Sequence, residues 1–126
     1  MFTHTFLGTN NVDASRAFYT PVMAALGHET AVPLPHGTAF PSAAGSLIVA
    51  TPANGEAHSV SNGYTLGFKA ADSSVVDAWH AAGIANGGTC EGAPGVRPNS
   101  PGQQYGAYLR DPDGNKICAF APNPAA

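Results

Sequence analysis

The sequence predicts an α+β fold built from two copies of a β-α-β-β-β unit, and three observations carry that prediction. The two strand–helix segments superpose with one offset: Phe18 and Trp79 are 61 residues apart (79 − 18), Gly27 and Gly88 are 61 apart (88 − 27), and His4 falls opposite Thr65. Within each segment apolar residues recur at helical spacing beside a short strand-like run. The chain closes on a hairpin signature, Asp111-Pro112-Asp113-Gly114, between Tyr105–Arg110 and Asn115–Ala121, with Pro suited to the first central position of a type I turn and Gly to a positive φ after it. The closing strands repeat too, Leu47-Ile48-Val49-Ala50 against Lys116-Ile117-Cys118-Ala119 at an offset of 69 (116 − 47). One copy alone is too small to bury a good core, so two curved half-sheets side by side would enclose a cleft.

Each element has a local reason. Thr3–Thr9 is the first strand, with apolar Phe6 and Leu7 among β-branched threonines, and Asn10-Asn11 end it. Asp13 is expected to cap the helix that follows, its carboxylate accepting the free N–H groups of the first turn. Ala14, Phe18, Val22 and Ala25 form the helical stripe, and Gly27 ends it in the left-handed conformation. Pro21 removes one backbone hydrogen bond and is expected to kink the helix. From His28 to Asn54 short strands alternate with breaks at Pro33, Pro35 and Gly37 and at Pro41 and Gly45, and Ser46–Thr51 is the clearest of them. A polar loop follows over Thr51–Asn62, then a strand over Gly63–Ala70 and a second helix over Asp72–Gly87 with Val76 and Trp79 inward. Ser74 is the expected cap at the position equivalent to Asp13. Thr89–Pro98 is strand or loop, Asn99–Gln104 is a Pro/Gly loop, and Pro122 and Pro124 end the sheet after the hairpin. The chain thus divides into module one (about 1–54), a linker (about 55–61) and module two (about 62–124) of a single domain.

Composition narrows the function. The chain has 126 residues, 10% of them charged, with Lys+Arg 5 against Asp+Glu 8 and a net charge of −3. A surface that tracks nucleic-acid phosphates needs clustered positive charge, so nucleic acid is set aside. No apolar run of about 18 residues exists to span a membrane, and Met1-Phe2-Thr3-His4 lacks the basic-then-apolar layout of a secretion signal. Cys90 and Cys118 form no CxxC pair and read as two buried free thiols in a reducing cytoplasm. No phosphate-binding glycine loop or hydrolase elbow is present. His28, His36, His58 and His80 lack ligand-like spacing. Arg16 reads as a weak surface or inter-module ion pair, and Arg110 with Asp111 as the structural start of the turn.

In order along the chain, His4-Thr-Phe-Leu-Gly8, Ser15-Arg-Ala-Phe-Tyr19, Ala25-Leu-Gly27, Asn62-Gly63, Val76-Asp-Ala-Trp-His80, Glu91-Gly-Ala-Pro94 and above all Tyr105-Gly-Ala-Tyr-Leu-Arg-Asp-Pro-Asp-Gly-Asn-Lys-Ile117 resemble the vicinal oxygen chelate superfamily. That superfamily includes glyoxalase I, extradiol dioxygenases, fosfomycin-modifying enzymes and bleomycin-resistance proteins. The resemblance covers essentially the whole chain. It implies paired βαβββ modules in a curved, partly open β-barrel, and a homodimer. It also implies, for members that do chemistry, one divalent ion held by four side chains, two from the modules' first strands and two carboxylates from their last. Such an ion keeps open sites that chelate paired substrate oxygens and stabilise an enolate.

Carried onto this sequence, the four corners fall on His4, on or near Val49, on Thr65 and on Cys118. Only His4 and Cys118 can coordinate, and two ligands do not hold a catalytic ion firmly. Glu56 would substitute for Val49 only if that strand ran longer. Cys118 shares a strand face with Lys116 and Phe120 and is otherwise a small buried apolar group. Tyr64, Phe68, Tyr105, Tyr108 and Phe120, with His4, are the candidate ligand-binding residues, the aromatics offering a stacking pocket; ordinary sheet packing is their other reading. No catalytic residue is assigned. The expected function is that of a glyoxalase/bleomycin-resistance-like protein that binds a small organic molecule in its cleft without the usual metal. The alternatives are a lyase or dioxygenase using Zn, Ni, Mn or Fe, and a dimeric scaffold whose cleft is vestigial and filled. Whether the modules pair within one chain or exchange between chains is left open by the linker.

Overall fold

The computed structural model describes residues 1–125. The first module holds β1 (His4–Gly8), α1 (Val12–Ala25), β2 (Val32–Leu34), β3 (Gly37–Phe40) and β4 (Ser46–Ala50); the second holds β5 (Leu66–Lys69), α2 (Ser73–Ala85), β6 (Thr89–Val96), β7 (Tyr105–Arg110) and β8 (Lys116–Ala121). Each module folds into a four-stranded sheet, ordered β1-β4-β3-β2 and β5-β8-β7-β6, in which the first and last strands run parallel and the rest antiparallel. The fold is therefore α+β with the expected repeat. The edge strands β1 and β5 share no hydrogen-bonded ladder, so the barrel stays open between them.

Helix α1 buries Ser15, Phe18, Tyr19, Val22 and Met23, a set spaced i, i+3, i+4, i+7, i+8 that lines one face. It runs unbroken through Pro21; the carbonyl that Pro leaves unbonded belongs to Ala17, which is exposed and can be hydrated. The caps differ from those expected. Asn11, not Asp13, caps α1, its side chain accepting from the Ala14 N–H at 3.0 Å, and Asp13 sits in the first turn, where its charge meets the positive end of the helix dipole. Asp72, not Ser74, caps α2 by accepting from Val75 N–H at 3.0 Å. Asn11 and Asp72 keep the 61-residue offset (72 − 11). The helix ends do not: the left-handed glycines are Gly27 at φ 97° and Gly87 at φ 101°. Helix α2 is one residue shorter, 13 against 14, so Gly88 is not the equivalent stop.

The two helices pack against each other beneath both sheets and share one core. Phe18, Tyr19, Val22, Phe40 and Val49 from the first module meet Val76, Trp79, Leu109, Ile117 and Ala119 from the second. Each such side chain contributes about 1.5–3 kcal/mol on burial. The Phe18 and Tyr19 rings stack edge to face at 4.8 Å. The Trp79 indole N–H is the one buried side-chain polar atom without a partner among the described residues. Arg16 is no surface ion pair: its Nε donates to Thr38 Oγ1 at 2.9 Å and a terminal nitrogen to the Gly37 carbonyl at 2.8 Å, tying α1 to β3.

The Asp111–Asn115 turn joins the modules. Asp111, only 4% exposed, accepts from the backbone N–H groups of Asp113 and Asn115 at 2.9 Å each, from Asn115 Nδ2 at 2.9 Å and from the Tyr19 hydroxyl of α1 at 2.5 Å. Asp113 accepts from Thr9 Oγ1 at 2.5 Å and from Asn10 N–H at 2.8 Å. Asn115 Nδ2 also donates to the Gly8 carbonyl at 3.1 Å. A turn that closes a hairpin in module two thus grips the end of β1 and the start of α1 in module one.

Burial, reinforced by the adjacent Asp111 carboxylate, raises the Tyr19 hydroxyl well above its ordinary ionisation range. Tyr19→Phe should cost about 1.5–3 kcal/mol, the worth of a hydrogen bond to a charged group, read as a lower urea midpoint at pH 7. Because the folded-state value is raised, the stability tied to Tyr19 is complete below pH about 10 and is lost as pH climbs toward the folded value. The wild type should lose stability on this alkaline limb faster than Tyr19→Phe does.

Candidate functional site

Strand pairing decides which side chains can face a ligand. On the first sheet Phe6, Ile48, Ala39 and Val32 stand in one row across all four strands, on the face away from the helices, and Phe6 and Val32 are exposed. The matching row of the second sheet is Gly67, Cys118, Tyr108 and Gly92. Both rows follow from the two-residue alternation of a strand.

The pairing narrows the corner expected on or near Val49. In the first module Phe6 pairs with Ile48, and in the second Gly67 pairs with Cys118. Phe6 and Gly67 are equivalent by the 61-residue offset (67 − 6), so the counterpart of Cys118 is Ile48. Val49 is the counterpart of Ala119; both point into the core and are at most 1% exposed. A one-residue change of register exchanges the faces of a strand, so the 69-residue offset of the closing strands sets Cys118 opposite a residue of the other face. The corners are then His4, Ile48, Thr65 and Cys118. An imidazole, an alkyl group, a hydroxyl and a thiol do not make the oxygen-rich set that the family's divalent ion requires. Glu56 does not replace the missing carboxylate: β4 ends at Ala50, and Glu56 lies in the loop beyond, accepting from Asn54 Nδ2 at 3.2 Å. Among the described residues no three His, Cys, Asp or Glu side chains gather as a metal site.

Two open cavities flank β1, and Thr5 lines both. One, of about 540 Å³, lies among Phe6, Gly8, His58, Tyr64, Asn115 and Lys116. The other, of about 490 Å³, runs between β1 and β5, with His4, Phe40, Leu47, Leu66, Phe68 and Lys69 in its wall. Both have the size of ordinary small-molecule sites. His58 is fixed at the first: its Nε2 is 2.9 Å from Asn115 Oδ1, and its ring lies over Gly8, where a Cβ would come within 2.2 Å of Nδ1. Only glycine at position 8 admits that ring.

The six candidate ligand-binding residues are spread among different surroundings. His4 and Phe68 line the 490 Å³ cavity and Tyr64 the 540 Å³ one. His4 is exposed, its Nδ1 2.8 Å from Thr3 Oγ1. Phe68 also packs on the core. Tyr108 and Phe120 sit on the helix-free face of the second sheet, rings 5.7 Å apart and edge to face, and line neither cavity. Arg97 and Lys116 approach the Tyr108 ring at 5.6 and 5.1 Å. Tyr105 turns to the helix side, where its hydroxyl donates to Asp77 of α2 at 2.6 Å. Sequence spacing passed over His58, Asn115, Lys69 and Lys116; the signal for His58 was Gly8, a small residue inside an otherwise regular strand.

A scan of family models matches residues 2–119 to the glyoxalase/bleomycin resistance protein/dioxygenase superfamily. The chain belongs to this superfamily. Among solved structures, a glyoxalase/bleomycin resistance protein from Albidiferax ferrireducens T118 is 46% identical, with a TM-score of 0.91 over 95% of this chain and 98% of that one. A lactoylglutathione lyase from Agrobacterium tumefaciens is 24% identical, TM-score 0.65, over 96% of this chain and 92% of that one. A glyoxalase-related enzyme from Fulvimarina pelagi is 19% identical, TM-score 0.76, over 98% and 88%. At such identities the last two show a common fold. No curated protein matches the sequence. This superfamily member therefore keeps the glyoxalase-like scaffold.

The two thiols differ in reactivity. Burial pushes the Cys118 thiol up to about 11, with Lys116 pulling weakly the other way. Cys90 is not buried as expected but exposed near the start of β6, its Sγ 3.2 Å from His80 Nε2; desolvation lowers the His80 imidazole, partly offset by Asp77, which favours the neutral ring that can accept from the thiol. At pH 8 an aromatic disulfide reagent should label one thiol per native chain rapidly. Cys118, with a thiolate fraction on the order of 0.1%, should react only on unfolding. Cys90→Ser should abolish the fast phase, followed by absorbance of the released thiolate.

Proposed function

We propose that this superfamily member binds a small organic molecule at the seam between its two sheets and does so without the family's divalent ion. The observation that carries this reading is the pairing of two open cavities, about 540 and 490 Å³, with corner positions His4, Ile48, Thr65 and Cys118 that supply no carboxylate. A vestigial scaffold would have filled that space with side chains. The runner-up, a metal-dependent lyase or dioxygenase, is favoured by His4 alone, the one corner that keeps a strong ligand. The protein works as a homodimer in the cytoplasm. Exposed Phe6 and Val32, in one apolar row on the open face of the first sheet, favour a second copy as their cover, and two free thiols suit a reducing compartment.

Two measurements test this. After incubation with Zn²⁺, Ni²⁺, Mn²⁺ or Fe²⁺ and desalting, the metal content should stay far below one ion per chain; a stoichiometric ion lost on His4→Ala would establish the metal-dependent reading instead. In sedimentation equilibrium the wild type should run at twice the chain mass. Phe6→Asp should shift it toward the monomer, since a charge cannot be buried unpaired at an apolar contact.

A further inference from the structure

We infer that the guest is an apolar monocarboxylate held in the 490 Å³ cavity, with its anionic group on Lys69 and its hydrocarbon part against Phe40, Leu47, Leu66 and Phe68. This rests on the binding function proposed above and adds its chemical class and location. The argument is one of charge placement. The chain is acidic, with eight carboxylate side chains against five Lys and Arg, yet none of the eight lines either cavity. Several are committed elsewhere: Asp111 and Asp113 hold the inter-module turn, Asp72 caps α2, Asp77 accepts from Tyr105, and Glu91 pairs with Arg110 at 3.1 Å.

Four of the five cationic side chains lie in the second module, and two of them reach the cavities, Lys69 in one and Lys116 in the other. The Arg110–Glu91 contact is the only ion pair among the described residues, so neither lysine has a carboxylate partner there. Lys116 is engaged at 5.1 Å with the Tyr108 ring. Lys69 is exposed at the end of β5, beside a wall that is otherwise largely apolar. A lysine ammonium at the mouth of an apolar cavity lacking any carboxylate repels a cation, gives a neutral guest no charge contact, and pairs an anion through a charge-assisted hydrogen bond. The other ionisable groups in that wall are His4 and His28, which add no negative charge.

Isothermal titration at pH 7.5 with 1-naphthoate, 1-naphthamide and 1-naphthylmethylammonium separates the terms, because the three share one aromatic body. Naphthoate should bind about five- to tenfold more tightly than the amide, the worth of a partly solvated ion pair, and the ammonium most weakly. The preference should shrink as salt rises. Lys69→Gln should erase the advantage of the acid and leave the amide unchanged, whereas Lys116→Gln should change neither. Equal or tighter binding of the amide or the ammonium would overturn the charge inference while leaving the binding function standing. An effect from Lys116→Gln in place of Lys69→Gln would overturn the location. Failure of all three compounds to bind would remove this inference, and a panel of chemically unrelated compounds that also failed would remove the binding function with it.

Discussion

A buried carboxylate ties the two halves of this protein together. Asp111 satisfies four donors, three from its own turn and one from Tyr19 on the opposite helix. Without those donors the charge could not stay out of water. The same five-residue turn places Asp113 against Thr9 and Asn10, and Asn115 against Gly8 and His58. The relative position of the sheets, and so the shape of both cavities beside β1, depends on this short segment as much as on the core beneath it. The Asp-Pro-Asp-Gly-Asn sequence therefore has two duties, closing a hairpin and orienting a neighbouring module.

The repeat explains why both modules fold alike and why they differ where it counts. Equivalent positions carry the caps Asn11 and Asp72 and the core aromatics Phe18 and Trp79. The open faces have diverged. The first sheet shows an apolar row of Phe6, Ile48, Ala39 and Val32; the second shows Tyr108 between Arg97 and Lys116. A symmetric cage of four ligands would need like residues at like positions, and the equivalent positions here carry an imidazole against a hydroxyl and an alkyl group against a thiol.

The general plan was legible because it rests on local physics. Helix stripes, glycine stops and the hairpin turn are each written within a few adjacent residues, while the superfamily was legible as a resemblance carried by motifs such as Tyr105–Ile117. What the sequence hid depends on partners far along the chain. Local spacing leaves the corner on or near Val49 unresolved, because the face of β4 is set by its pairing with β1, and a slip of one position inverts it. Asp13 and Asn11 are both good cap residues, and only backbone geometry chooses Asn11. Tyr105 was expected in the cleft, yet Asp77 on α2 draws its hydroxyl to the other side. A cleft was legible from the repeat, but its walls were not, since one cavity joins β1 to the linker and the turn and the other joins β1 to β3, β4, β5 and the end of α1.

The seam has a mechanical consequence. No ladder of main-chain hydrogen bonds crosses from β1 to β5, so the gap between the edges is spanned by side chains alone, and the modules are joined behind it by packed helices and a turn. Small rocking of one half against the other would alter the girth of the groove without breaking a single strand pairing. In a closed barrel main-chain bonds would fix that width, whereas here it is set by the shared core and the turn behind the gap.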